Sequence, residues 1–170
     1  MLSNAIRSSQ DHQVAVKCST WLVKQLPFGT EKLKAVQLGM EIVNKWMESA
    51  KEGKEVQLAK QHLGIFEDAW KKLGTQVLLQ RRSLLNNDTT ELSATPAKLI
   101  LHLYETFDPS DQQQCSDIAD VVPRIAELTR IDLPKLQQHL IEKWMAGPMS
   151  THSKDLDEVF LLRYIFFKNY

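Results

Sequence analysis

The chain has 170 residues and 21 Lys plus Arg against 21 Asp plus Glu, so no excess charge draws it toward nucleic acid or an anionic membrane. With 43% hydrophobic residues and only six glycines and six prolines, the composition excludes a chain disordered throughout and fits a single helical segment over residues 1–170, with residues 1–9 read as disordered. Cys18 and Cys115 form no CxxC pair and follow no signal peptide, which points to an intracellular, reducing compartment rather than secretion.

From Gln10 to Leu26, Val14, Cys18, Trp21, Leu22 and Val23 follow helical spacing and predict a first helix that buries this stripe and ends at Pro27. Thr30 is the expected N-cap of a second helix, in which Leu33, Val36, Met40, Val43 and Met47 form one apolar stripe and Ala35, Gly39, Ile42 and Trp46 another. Two stripes predict a helix packed between neighbours. A third helix carries Ala59, Leu63, Phe66, Trp70, Leu73 and Val77 and stops near Arg82, with Gly64 and Gly74 marking a close approach or a kink.

Asn86-Asn87-Asp88 reads as a loop, with Asp88 and Glu91 at capping-box spacing for a short helix through Leu92. Pro96 then opens a helix with Leu99, Ile100, Leu103, Tyr104 and Phe107, closed by Asp108-Pro109. Between Asp111 and Arg130, Ile118, Val121, Val122, Ile125 and Leu128 are helically spaced, but Pro123 predicts a kink or a break. Asp132 is the expected cap of a helix with Leu136, Leu140, Ile141 and Trp144 inside, ended by Gly147-Pro148. A last helix starts near Ser153. The pattern predicts an all-α segment of seven or eight antiparallel helices, with successive helix pairs suited to an α-solenoid as well as to a bundle.

Signals for chemistry are weak. The five histidines form no HExxH or paired-ligand motif, and no P-loop, GxSxG elbow or dinucleotide glycine pattern occurs, so no catalytic residue, metal ligand or cofactor site is expected. Cys18 reads as a small buried hydrophobe, and Cys115 has no basic neighbour to lower its pKa. Asp108 and Asp111 lack the EF-hand spacing and read as loop and cap residues. Lys71-Lys72 and Arg81-Arg82 read as a solvated face rather than a nucleic-acid site. The cluster His102, Tyr104 and Glu105 is the one place where an enzymatic reading starts, and it lacks a nucleophile and an oxyanion donor.

Trp21, Trp46, Trp70 and Trp144 read as packing residues on four different helices. The run from Val159 to Phe167 is apolar nearly all round, yet too short for the ~20 residues that span a bilayer, so no membrane insertion is expected. Phe160, Tyr164 and Phe167 are the candidate interaction surface there, because they cannot all face one neighbour.

Three stretches resemble a known family: Ser19-Thr-Trp-Leu-Val-Lys-Gln-Leu-Pro-Phe-Gly29 leading to Lys45-Trp46, Ala94-Thr-Pro-Ala-Lys-Leu-Ile-Leu-His-Leu-Tyr-Glu105, and Ile131-Asp-Leu-Pro-Lys-Leu-Gln-Gln-His-Leu-Ile-Glu-Lys-Trp144. They are similar to the C-terminal helical region of the kinetochore protein Rod (rough deal), from about Val14 to Met145. Pro123 departs from that pattern, and so does length, since Rod is far longer and this chain would be a piece of its solenoid. The resemblance implies a non-enzymatic scaffold at kinetochores that acts in the spindle assembly checkpoint and in dynein recruitment. It implies Zwilch, Zeste-White-ten and Spindly as partners. The alternative it leaves open is a helical subunit of a vesicle tether at the endoplasmic reticulum.

Overall fold

The computed structural model describes Ile6, residues 11–50 and residues 53–146, the side chains of Met145 and Ala146 excepted. Seven helices and no strand occur among the described residues: α1 (His12–Gln25), α2 (Thr30–Ser49), α3 (Lys54–Arg81), α4 (Asn87–Leu92), α5 (Pro96–Thr106), α6 (Gln112–Thr129) and α7 (Leu133–Ala146). The segment is all-α. The chain divides into two compact units, residues 1–77 and 78–170, with the division inside α3. Apart from Ile6, the expected disorder of residues 1–9 falls outside the described residues, as do the Gly147-Pro148 stop and the last helix.

In the first unit α1 packs along α2. The buried side of α1 is Ala15, Val16 and Ser19, with Leu22 and Val23 partly buried beside them. This corrects the expected stripe: Val14 is 48% exposed, Trp21 is 56% exposed, and Cys18 is exposed too. The small side chains of Ala15 and Ser19 suit the buried face, and the Ser19 hydroxyl donates to the Ala15 carbonyl at 2.9 Å, so its burial leaves no polar group unsatisfied. Both stripes of α2 contribute buried residues, among them Ala35, Val36, Gly39, Ile42, Val43 and Trp46.

The close helix approach lies at Gly39, not at Gly64. A Cβ on Gly39 would stand 2.4 Å from the ring of Phe66, itself only 3% exposed, whereas a Cβ on Gly64 would meet nothing within 4 Å. Gly39 is thus the position where α2 admits the Phe66 ring of α3. Helix α3 runs unbroken through Gly64 and Gly74.

The second unit is built around α5, which packs against α4, α6 and α7. Leu99, Ile100, Leu103 and Tyr104 are buried, and their neighbours in the core are Leu79, Ile118, Val121, Val122, Ile125 and Leu140. Pro96 occupies the first turn of α5, where its missing N–H has no intrahelical acceptor to lose. Arg82, in the turn just after α3, is tied to α6: its Nη2 reaches Asp120 Oδ2 at 2.8 Å and its Nη1 lies 3.5 Å from Asp117 Oδ1. Asp120 also holds Arg124 at 2.7 Å.

Of the kink or break expected at Pro123, the break is absent: α6 continues through it from Gln112 to Thr129. Pro123 lies on the exposed side, while Ile118, Val121, Val122 and Ile125 are at most 2% exposed. Burying each such side chain is worth ~1.5–3 kcal/mol, so the row together outweighs the ~3 kcal/mol that a helical proline costs.

Two expected caps are also corrected. Gly29, at φ 144°, takes the N-cap of α2, and Thr30 is the first helical residue. The capping box of α4 is Asn86 with Thr89, each side chain accepting from the other's backbone N–H at 2.9 Å, rather than Asp88 with Glu91. Asp132 caps α7 as expected, its carboxylate accepting from the Lys135 backbone N–H at 3.2 Å.

The Gly39 contact is directly testable. Gly39→Ala gains ~1 kcal/mol of helix propensity but forces the Phe66 ring out of its place, and overpacking of this kind costs ~1–3 kcal/mol. Urea unfolding is expected to show a net loss of ~0–2 kcal/mol. Combining Gly39→Ala with Phe66→Leu is expected to cost less than the sum of the two single changes, because the smaller side chain removes the clash.

Candidate protein-interaction site

The polar side chains that could carry chemistry are dispersed. Among the described residues no three His, Cys, Asp or Glu side chains are grouped so as to hold a metal ion. His12 Nε2 lies 3.1 Å from the Ser49 hydroxyl, and the His62 ring sits 6.2 Å from that of Trp46 at a tilt of 36°. A recess of about 640 Å³ opens beside His12, Ser49 and Trp46, where Asp11 also lies. Asp11 serves there as the N-cap of α1, accepting from the Val14 N–H at 3.1 Å. Ser49 and His12 are the one hydroxyl–imidazole pair in this recess, and the Ser49 hydroxyl also lies 3.0 Å from the Trp46 carbonyl, to which it donates.

Asp108 and Asp111 have the loop and cap roles expected of them. Asp111 accepts from the Gln113 and Gln114 backbone N–H groups at 2.9 and 3.1 Å, capping α6, and Asp108 accepts from the Ser110 N–H at 2.9 Å. Burial pushes the Cys115 thiol pKa up, and the carboxylates of Asp111 and Asp108 push it further, which keeps the thiol protonated and unreactive. Cys18 is exposed, so its expected role as a buried hydrophobe does not hold.

His102, Tyr104 and Glu105 do not converge. His102 is half-buried and Tyr104 is buried in the core. The Tyr104 hydroxyl accepts from Gln137 Nε2 at 3.0 Å, and Glu105 pairs with Lys143 at 2.8 Å, so both hold α5 to α7. Of the basic pairs weighed for nucleic acid, Arg82 is committed to Asp117 and Asp120. Phe160, Tyr164 and Phe167 lie outside the described residues.

The tryptophans divide. Trp46 is buried, and Trp70 and Trp144 are partly buried against their cores, but Trp21 stands in solvent. With Val14 and Cys18 it forms an exposed row on α1, and Phe28, in the turn that follows, is 40% exposed. Leu58 and Ile65 of α3 are also exposed, at 37% and 62%. Exposed apolar rows of this kind are surfaces for protein contact rather than reaction centres. No helix among the described residues is long and apolar enough to cross a membrane.

The family model of the Rough deal protein C-terminal region matches residues 1–164. The chain is 25% identical over 174 aligned positions to human kinetochore-associated protein 1, covering 95% of this chain and 8% of that protein. It is 24% identical over 141 positions to kinetochore-associated protein rod-1 of Caenorhabditis elegans, covering 82% of this chain and 7% of that one. The mouse kinetochore-associated protein 1 is 24% identical over 95% of the chain. The chain therefore spans less than a tenth of the length of these relatives.

Within the matched residues, Tyr104 offers a readout of the α5–α7 contact. Burial raises its pKa from 10.0 to about 12, although the bond from Gln137 lowers it somewhat. The folded state therefore favours the neutral phenol. Its contribution to stability is fully present below pH 10 and is lost as pH rises toward 12. Wild type is expected to lose stability more steeply than Tyr104→Phe across that window. At pH 7 the variant is expected to be about 1 kcal/mol less stable, since the Gln137 amide loses its acceptor. Denaturant unfolding of both proteins as a function of pH checks this.

Proposed function

We propose that this chain, which belongs to the family of the Rough deal protein C-terminal region, is a non-enzymatic scaffold segment of a kinetochore complex. The observation that carries the reading is the family match over residues 1–164, joined by relatives whose names place them at kinetochores in human, mouse and worm. The dispersed polar groups and the exposed apolar rows of α1 and α3 support a role in binding proteins rather than in turning over a substrate.

In this reading the chain works in the spindle assembly checkpoint and in bringing dynein to unattached kinetochores, in an assembly with Zwilch, Zeste-White-ten and Spindly. Phe160, Tyr164 and Phe167 form a further interaction surface, outside the described residues. Localisation tests the proposal. The full-length gene product that carries this chain, fluorescently tagged, is expected to gather at kinetochores when microtubules are depolymerised. A reticular distribution without kinetochore foci contradicts it and favours a membrane tether.

A further inference from the structure

We propose that the exposed face of α1 is a docking surface for an acidic amphipathic helix of a protein partner. Val14, Cys18 and Trp21 stand at i, i+4 and i+7, the spacing of a helix seam, and Val14 and Trp21 are 48% and 56% exposed. The residues behind them, Ala15, Val16 and Ser19, are already buried against the first unit's core, so this row is a second apolar face on the same helix. An exposed tryptophan flanked by a smaller apolar side chain is the type of anchor around which protein interfaces form.

Charge identifies the occupant. Lys17 and Lys24, four residues before and three residues after Trp21, are exposed, and no acidic side chain occurs between Asp11 and Glu31. At helical spacing both lysines fall on the same side of the Val14, Cys18 and Trp21 row, so the face is apolar at its centre and positive along one flank. An opposing helix that offers a row of Leu, Ile or Met with Asp or Glu beside it complements both features. A second copy of this chain does not, since its own α1 has no acidic side chain between Asp11 and Glu31 to set beside these lysines. An anionic membrane is less suited: recognition of that kind draws on clusters of about four to eight basic residues, and this face has two. Nucleic acid is disfavoured for the same reason.

The proposal does not depend on where in the cell the chain acts. The test is selection of a random helix-length peptide library, displayed on phage, against the intact chain. Recovered peptides are expected to carry acidic residues beside helically spaced apolar ones. Their affinity, measured by fluorescence anisotropy, is expected to fall about tenfold or more with Trp21→Ala and with the pair Lys17→Glu and Lys24→Glu, and to weaken as salt is added to wild type. Both sets of changes lie on exposed positions, and circular dichroism should be unchanged. Recovery of no peptide, of peptides without acidic bias, or of peptides that bind the variants as well as wild type overturns the proposal. So does Trp21-dependent self-association, or Trp21-dependent binding to vesicles of phosphatidylserine and phosphatidylcholine.

Discussion

The burial of one apolar face per helix is the constraint on which both units depend, because nothing covalent stands in for it. Cys18 and Cys115 are free thiols. The ion pairs among the described residues involve side chains that are mostly well exposed, such as Lys34 with Glu31 at 71% and 70%, and pairs of that kind contribute ~0.2–1 kcal/mol each. A buried Leu or Ile contributes ~1.5–3 kcal/mol. Leu99, Ile100, Val122, Ile125 and Leu140, all with no exposed surface, therefore dominate the second unit. Gly39 and Phe66 have the corresponding place in the first, where a missing Cβ lets a ring into the core.

The same constraint explains the character of the surface. Once Ala15, Val16 and Ser19 face the core and Leu22 and Val23 pack at its edge, Val14, Cys18 and Trp21 are left outside. The core does not use them. Apolar groups that packing does not consume, on a chain with no assembled reaction centre among its described residues, are material for contacts with other proteins. Low identity to the relatives fits this account, since cores tolerate hydrophobic exchanges that conserve volume and patterning.

Much of this architecture was legible in the residues. The two stripes of α2, the opening of α5 at Pro96, the Asp132 cap and the end of α3 near Arg82 follow from spacing and capping chemistry alone. Other features do not. On α1, hydropathy favours the stripe with Val14, Cys18 and Trp21, while packing selects the side with the smaller Ala15 and Ser19. At Asn86, two pairs three residues apart compete for one capping box, and only the backbone geometry decides for Thr89. At Pro123, a local rule for helix breaking is overridden by four buried neighbours in the core. The exposed Trp21 face is hidden for the same reason, since the hydropathy of a tryptophan points to the core. The absence of an acidic residue from His12 to Thr30 was a visible signal that this helix has an unusual outer face.

The family resemblance rests on ordinary packing residues in a particular order rather than on a catalytic signature. Leu99, Leu103 and Trp144, which lie in the matched stretches, build the contacts around α5. Such residues preserve a shape, and a shape acts by what it binds. Assembly is therefore the most direct measure of the central claim. When the full-length gene product that carries this chain is mixed with purified Zwilch and Zeste-White-ten and run by size exclusion with light scattering, the account predicts one stoichiometric complex. Elution of the folded protein apart from both subunits at micromolar concentration would contradict it.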